Sequence, residues 1–331
     1  MLHHRRRLLL PTTAPPSPLN DDDLLQEILL RLPPEPSSLP RASAVCKRWH
    51  GLQPCGVPTD RFLPVREVGL RWEIINCCQG LALFRTVVRG VRKRKRKEFV
   101  VVDPISGDRR RVPFPAVDGK FLCATVVPAA GDRRLFCLVA VFADRGTFTS
   151  VFAVVYSSEA GVWGDCVSTL SLPWEVWVMG PSVLAGSAVH WFLDGYKVLM
   201  FDLEKQRLDF TDLPLAANYE EDFHHRCRCH IIPAGDNRLG LAVIVESSMQ
   251  LWEREIGDGS DATWVMSRTV QLDFLPLESE GRKLIVGVAE ENNSILIWTR
   301  VGLFMVHLKS MQFRKVFGEI AMDNYYPYSS F

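Results

Sequence analysis

From Arg71 onward the chain repeats one phrase five times: an apolar strand closes on a polar or aromatic residue, turns over about half a dozen positions, and starts again. The phrases are Phe99-Val100-Val101-Val102-Asp103, Val154-Val155-Tyr156, Val198-Leu199-Met200-Phe201-Asp202, Gln250-Leu251-Trp252 and Phe304-Met305-Val306-His307. The closing residues Asp103, Tyr156, Asp202, Trp252 and His307 are 53, 46, 50 and 55 positions apart. A second apolar element precedes most of them: Gly80 to Phe84, Ala188 to Phe192, Leu239 to Ile244 and Ser294 to Trp298. Short apolar runs bounded by turn residues, with almost no helical period, mean an all-β domain. A period near ~50 residues leaves room for about four strands per unit. Radial repetition of such units also protects the edges of each small sheet. The expectation is a mainly β chain with a β-propeller-like domain. Five or six blades are allowed, one of them incomplete because little sequence precedes Trp72, and a β-sandwich is the runner-up.

Upstream, the pattern changes three times. Residues 1–20 are rich in Pro and Thr without a period and are expected to be disordered. Residues 21–52 read as helical, residues 53–70 as a linker containing Pro54, Pro58 and Pro64, and residues 71–331 as the β domain. Asp23 suits an N-cap, with Gln26 three positions later as its capping-box partner. Leu24, Leu25, Ile28, Leu29 and Leu32 then share one helical stripe, and Pro33-Pro34 stops the helix. A second helix after Ser37-Ser38 places Leu39, Ala42, Val45, Cys46 and Trp49 on one side. Two such short helices cannot bury both apolar faces against each other alone, so the β domain or a partner must cover the rest.

The ordered combination Leu24-Leu25-Gln26-Glu27-Ile28-Leu29-Leu30-Arg31-Leu32-Pro33-Pro34, then Ala44-Val45-Cys46-Lys47-Arg48-Trp49, resembles an F-box. The resemblance implies docking on a Skp-type adaptor, which ties the chain to a cullin and an E2-recruiting RING subunit. The docking residues would be Leu24, Leu25, Ile28, Leu29, Leu32, Pro33, Leu39, Val45, Cys46 and Trp49. The β domain is similar to plant F-box proteins with a C-terminal F-box-associated, kelch-like propeller. That likeness rests on Val102-Asp103-Pro104-Ile105-Ser106-Gly107, on Val155-Tyr156-Ser157-Ser158-Glu159-Ala160-Gly161-Val162-Trp163, and on Met311-Gln312-Phe313 leading to Tyr326-Pro327-Tyr328. One departure stands out: after Trp49 the chain reads His50-Gly51-Leu52-Gln53-Pro54, which cuts the last F-box helix short.

Net charge is +1, so global charge names no partner, but its distribution is uneven. Between Arg85 and Arg111 eleven Lys/Arg face three acids. Its centre, Arg92-Lys93-Arg94-Lys95-Arg96-Lys97, is a candidate nuclear import signal, set against a plain solvated hairpin tip. No aromatics interleave with it, which argues against nucleic-acid binding. The nine cysteines show no framework spacing, and no apolar run reaches the ~18 residues that span a bilayer. Free thiols in nucleus and/or cytoplasm, with no membrane, are therefore expected. His224-His225-Arg226-Cys227-Arg228-Cys229-His230 is the one dense group of possible zinc ligands. No second Cys pair completes it, so a loop entering an inner strand is the expectation, with no metal and no cofactor.

The chain has no Gly-x-Ser-x-Gly elbow, phosphate-cradling glycine loop or His-Glu-x-x-His motif. It is expected to be a non-catalytic substrate-recognition subunit of an SCF-type ubiquitin ligase, with an unknown protein client on the β domain. The competing class is a non-ligase nuclear interaction protein whose degenerate F-box no longer holds the adaptor. Of the tryptophans, most are expected in blade packing and some at a client-binding rim.

Overall fold

The computed structural model describes residues 24, 28, 70–88, 97–104, 106–194, 197–214, 229–235, 238–256, 262–273, 283–289 and 293–317. Five four-stranded antiparallel sheets follow one another along the chain, each made from consecutive strands. Blade 1 holds β1 (Leu70–Cys78), β2 (Leu81–Val88), β3 (Glu98–Val102) and β4 (Arg109–Pro113). Blade 2 holds β5 (Lys120–Ala129), β6 (Asp132–Ala143), β7 (Ser150–Ser157) and β8 (Val162–Ser171). Blade 3 is β9 (Val183–Ala185), β10 (Ala188–Leu193), β11 (Lys197–Asp202) and β12 (Arg207–Asp212). Blade 4 is β13 (Cys229–Pro233), β14 (Leu239–Val245), β15 (Ser248–Ile256) and β16 (Ala262–Gln271). Blade 5 is β17 (Leu284–Ala289), β18 (Ser294–Thr299), β19 (Gly302–His307) and β20 (Phe313–Phe317).

The chain is thus a five-bladed β-propeller, and the incomplete blade allowed from sequence is not needed. Blade 1 starts at Leu70 and has all four strands. The closing residues of the repeat all fall at the third strand of a blade. Two of them shift: β7 runs one residue past Tyr156, and β15 continues from Trp252 to Ile256.

First strands of neighbouring blades approach one another, β1 with β5, β9 with β13 and β13 with β17, which sets them around the axis. Blades stack face to face, so inner strands are covered on both sides. Every residue of β10 (AVHWFL) and of β17 (LIVGVA) is buried. This explains why those stretches read as continuous apolar runs rather than alternating ones. The outermost strands alternate instead: β4 (RRRVP) buries only Val112.

Apolar clusters fill the spaces between consecutive blades. The one between blades 1 and 2 is aromatic, with Phe99, Phe114, Phe121 and Phe142 ring centroids within 5.1–5.7 Å of their neighbours. The one between blades 4 and 5 is mostly aliphatic, with Ile244, Ile285, Ile295, Ile297 and Val306. Fully burying one such side chain contributes about 1.5–3 kcal/mol. Two tryptophans on outermost strands tie blades together. Trp163 Nε1 donates to the Pro113 carbonyl at 2.7 Å, and Trp264 Nε1 to the Asp212 carbonyl at 2.9 Å.

Candidate client-binding face

Antiparallel order sorts the connections onto two faces. In each blade the 1→2 and 3→4 turns lie at one end, and the 2→3 loops and the links between blades at the other. The turn face is built by a rule that four blades share. The residue that ends the third strand, or in blade 1 the one just after it, accepts through its side chain the N–H three positions on: Ser106 to Asp103, Ala160 to Ser157, Lys205 to Asp202, Ser310 to His307. The residue after that donor takes a positive φ: Gly107, Gly161, Gln206 and Met311, at 80°, 72°, 48° and 56°. For Asp103, Asp202 and His307 this is the physical content of the repeated closing residue, a side-chain acceptor that shapes a five-residue turn. In blade 2 the acceptor is Ser157, next to Tyr156. In blade 4 the corresponding turn lies outside the described residues.

The other face carries the long links between blades, with 2→3 connections of two residues in blades 4 and 5 and of six in blade 2. In blade 2 the 2→3 loop is held by the Asp144 carboxylate, which accepts from the N–H groups of Gly146, Thr147 and Ser150 at 2.8–3.1 Å and from the Thr147 hydroxyl. These donors, the Ser150 N–H foremost, hold its pKa down at about 2. The loop sets Phe148 at φ 55°, and the Phe148 carbonyl accepts from Val176 N–H at 3.1 Å in the blade 2–3 link. That link is anchored further by Asp194 N–H to the Trp177 carbonyl and Met179 N–H to the Phe192 carbonyl, each 2.8 Å.

The outcome is a clamp. Lys120, the first residue of β5, puts its Nζ 4.3 Å from the Phe148 ring centroid and 4.2 Å from that of Trp177. Trp177 is 48% exposed, far more than Trp191, which is buried. Next to the clamp, among the inner strands of blades 1 to 3, opens a cleft of about 160 Å³ lined by Glu73, Arg85, Phe121, Val178, Ser182 and Trp191. Arg85 is paired with Glu73 at 2.7 Å and lies over the Phe121 ring at 4.6 Å. Beside the cleft, the Ser182 hydroxyl accepts from Asn76 Nδ2 at 2.9 Å and from the Thr125 hydroxyl at 2.6 Å. Asn76 reaches that junction because a bulge between Ile74 and Asn76 shifts the register of β1. Among the described residues no group of three or more His, Cys, Asp or Glu could hold a metal ion.

Of the adaptor-docking residues expected from sequence, Leu24 and Ile28 are helical and 50% and 39% exposed. Leu25, Leu29, Leu32, Pro33, Leu39, Val45, Cys46 and Trp49 lie outside the described residues, as do Arg92 to Arg96 of the basic run. Lys97 is exposed, with Nζ 5.6 Å from the Phe114 ring. In the His/Cys group, Cys229 and His230 begin the inner strand β13 and are buried, Cys229 within the blade 3–4 cluster. His230 Nδ1 donates to the Ile231 carbonyl at 2.7 Å, which leaves Nε2 unprotonated. Burial lowers the pKa of this ring. His224, His225 and Cys227 lie outside the described residues. Sequence reading missed Lys120 and Phe148 altogether, since nothing local marks residues that meet only through three separate segments.

Residues 73–328 match a family described as F-box protein AT5G49610-like, beta-propeller, and residues 21–52 match the F-box domain. F-box protein At5g03970 of Arabidopsis thaliana is 23% identical over 239 residues, 66% of this chain and 54% of that protein. The chain therefore spans about half the length of the curated relative it matches. Among solved structures, Sqt1 of Saccharomyces cerevisiae is similar with a TM-score of 0.41 at 8% identity, over 71% of this chain and 57% of that one. The WD40 domain of SCAP from fission yeast gives 0.38 at 10% identity, over 79% and 58%.

Proposed function

The chain belongs to the plant F-box proteins that carry an AT5G49610-like β-propeller, and from that premise we propose that it is the substrate-recognition subunit of an SCF-type ubiquitin ligase. The F-box segment holds the Skp-type adaptor and, through it, the cullin; the loop face of the propeller holds a protein client. The observation that carries this reading is the order of the two modules, F-box at 21–52 and propeller at 73–328. The difference between the two faces supports placing the client on the loop face: its links between blades are long and unlike, and one presents an exposed tryptophan. Such a subunit needs no catalytic residue of its own. Holding the client beside a charged E2 turns a bimolecular encounter into a nearly intramolecular one and raises the effective concentration of client lysines.

The test is co-purification of the tagged chain with adaptor and cullin. Truncating a central leucine or aromatic of a docking surface costs about 2–4 kcal/mol, or roughly 30- to 1000-fold in affinity. A Leu29→Ala, Trp49→Ala double variant is expected to lose both partners while the propeller keeps its Tm. Global unfolding of that variant would mean that the helices pack on the β domain. A folded wild-type chain that never captures adaptor would favour a non-ligase interaction protein and implicate the short helix after Trp49.

A further inference from the structure

Lys120 is a cation held but not neutralised. The two rings of Phe148 and Trp177 attract its ammonium through their quadrupoles. Neither carries a formal charge, and among the described residues Lys120 makes no ion pair. Other cations of these blades are differently placed: Arg85 is paired with Glu73 and Arg145 with Asp118, each at 2.7 Å. Lys197, which also lies over two rings, those of Trp174 and Phe210, is paired with Asp212. Building the clamp takes a non-glycine residue at positive φ, Phe148, and a carboxylate with four donors, Asp144. A lysine side chain that merely faced water would require neither.

We propose that Lys120, Trp177 and the mouth of the adjoining cleft form the docking site for an acidic segment of the client. One Asp or Glu carboxylate meets the Lys120 ammonium, and an apolar side chain next to it lies on Trp177 and enters the cleft. The inference rests on the loop face being the client-binding face. The rings hold the lysine stem in one place, so its ordering is completed on folding rather than on binding. They also shield the ammonium from part of its water, which strengthens its attraction for an anion. Lys120 begins β5 directly before Phe121, and Trp177 directly precedes Val178; both Phe121 and Val178 line the cleft. Clamp and cleft are therefore consecutive along two segments. A carboxylate fits better than a phosphate: phosphate sites gather several free cations, commonly arginines, whereas the two arginines here are already taken by carboxylates.

The full-length protein is panned against a phage-displayed random-peptide library, and the best peptide is measured by fluorescence anisotropy with its acidic position as Glu, Gln or phosphoserine. Adaptor capture is scored separately on the same preparation. Selected peptides are expected to carry Asp or Glu next to Leu, Phe or Trp. The Gln peptide, and Lys120→Glu with the Glu peptide, should each bind about tenfold or more weakly. Lys120→Arg should stay within about threefold, since it keeps the charge. Lys120→Gln serves the same purpose should Lys120→Glu fail to fold. Selection of no peptide, selection without acidic residues, or affinity indifferent to Lys120 would overturn the proposal. Tighter binding of the phosphoserine peptide would overturn it in favour of phosphate recognition. Adaptor capture with no acid dependence would sink the site and leave the ligase reading standing; acid dependence without adaptor capture would do the reverse.

Discussion

The turn face and the loop face are made from the same strands by different means. On the turn face a single device recurs: an acceptor side chain at the end of a third strand, a donor three residues on, and a left-handed residue after it. It appears with Asp103, Ser157, Asp202 and His307, whatever the acceptor chemistry. On the loop face little recurs. Blades 2 and 4 share one backbone bond, Leu172 N–H to the Thr149 carbonyl and Leu272 N–H to the Ser247 carbonyl. A second lysine, Lys197, lies over the Trp174 and Phe210 rings but is paired with Asp212. The Asp144 loop, the Trp177 link and the start of β5 differ in length and composition, and they meet in one place only. Repetition serves closure of the fold, which every blade needs. Irregularity concentrates where a partner can be recognised, because one site needs no copies.

If stability resides in the turns and the interior between the faces, the largest expected effect comes from charging that interior. His190 is buried in β10, and burial, with the Arg254 charge as a lesser contribution, lowers its pKa from 6.5 to about 4. The unfolded chain then binds the extra proton first, so stability is complete above about pH 6.5 and falls as pH drops toward 4. The shift corresponds to about 3 kcal/mol at the acid end. Thermal unfolding between pH 7.5 and 4.5 should show this slope, and His190→Leu should reduce it, leaving the part that the buried His230 contributes. A variant with the wild-type slope would show that His190 is not a neutral buried ring.

A second substitution probes whether the loop face is free of structural duty. Gly180 lies in the same link as Trp177, with φ +98° and room for a Cβ only 2.9 Å from His230 Nε2. Gly180→Ala should cost about 2 kcal/mol through backbone strain and overpacking. Unchanged stability in urea unfolding would mean that the link shifts freely, and the clamp with it. The smallest effect belongs to the turn face. Asp202→Ala removes the acceptor of the Glu204 and Lys205 N–H groups, at 3.0 and 2.9 Å, and should cost about 1 kcal/mol. Peptide affinity at the clamp should not move with it; a loss of affinity would erase the distinction between the faces.

Much of this was legible beforehand. The closing residues at a spacing near fifty marked one strand in each of five units, and at Asp103, Asp202 and His307 the closing residue is itself the acceptor its turn needs. The mostly apolar stretch Ala188 to Phe192 marked a second strand of its unit, and in the structure β10 is buried along its whole length. The leucine stripe from Leu24 and the Val45-Cys46-Lys47-Arg48-Trp49 element resemble an F-box, and residues 21–52 match that domain. The choice of five complete blades over six, the Asn76 bulge and the clamp were not legible. Lys120, Phe148 and Trp177 belong to three segments, and each alone is an ordinary surface lysine, an ordinary loop phenylalanine and one tryptophan among nine. Local periodicity records what every blade must satisfy by itself; the clamp depends on where the ring brings blades 2 and 3 together, and only the tertiary structure decides that.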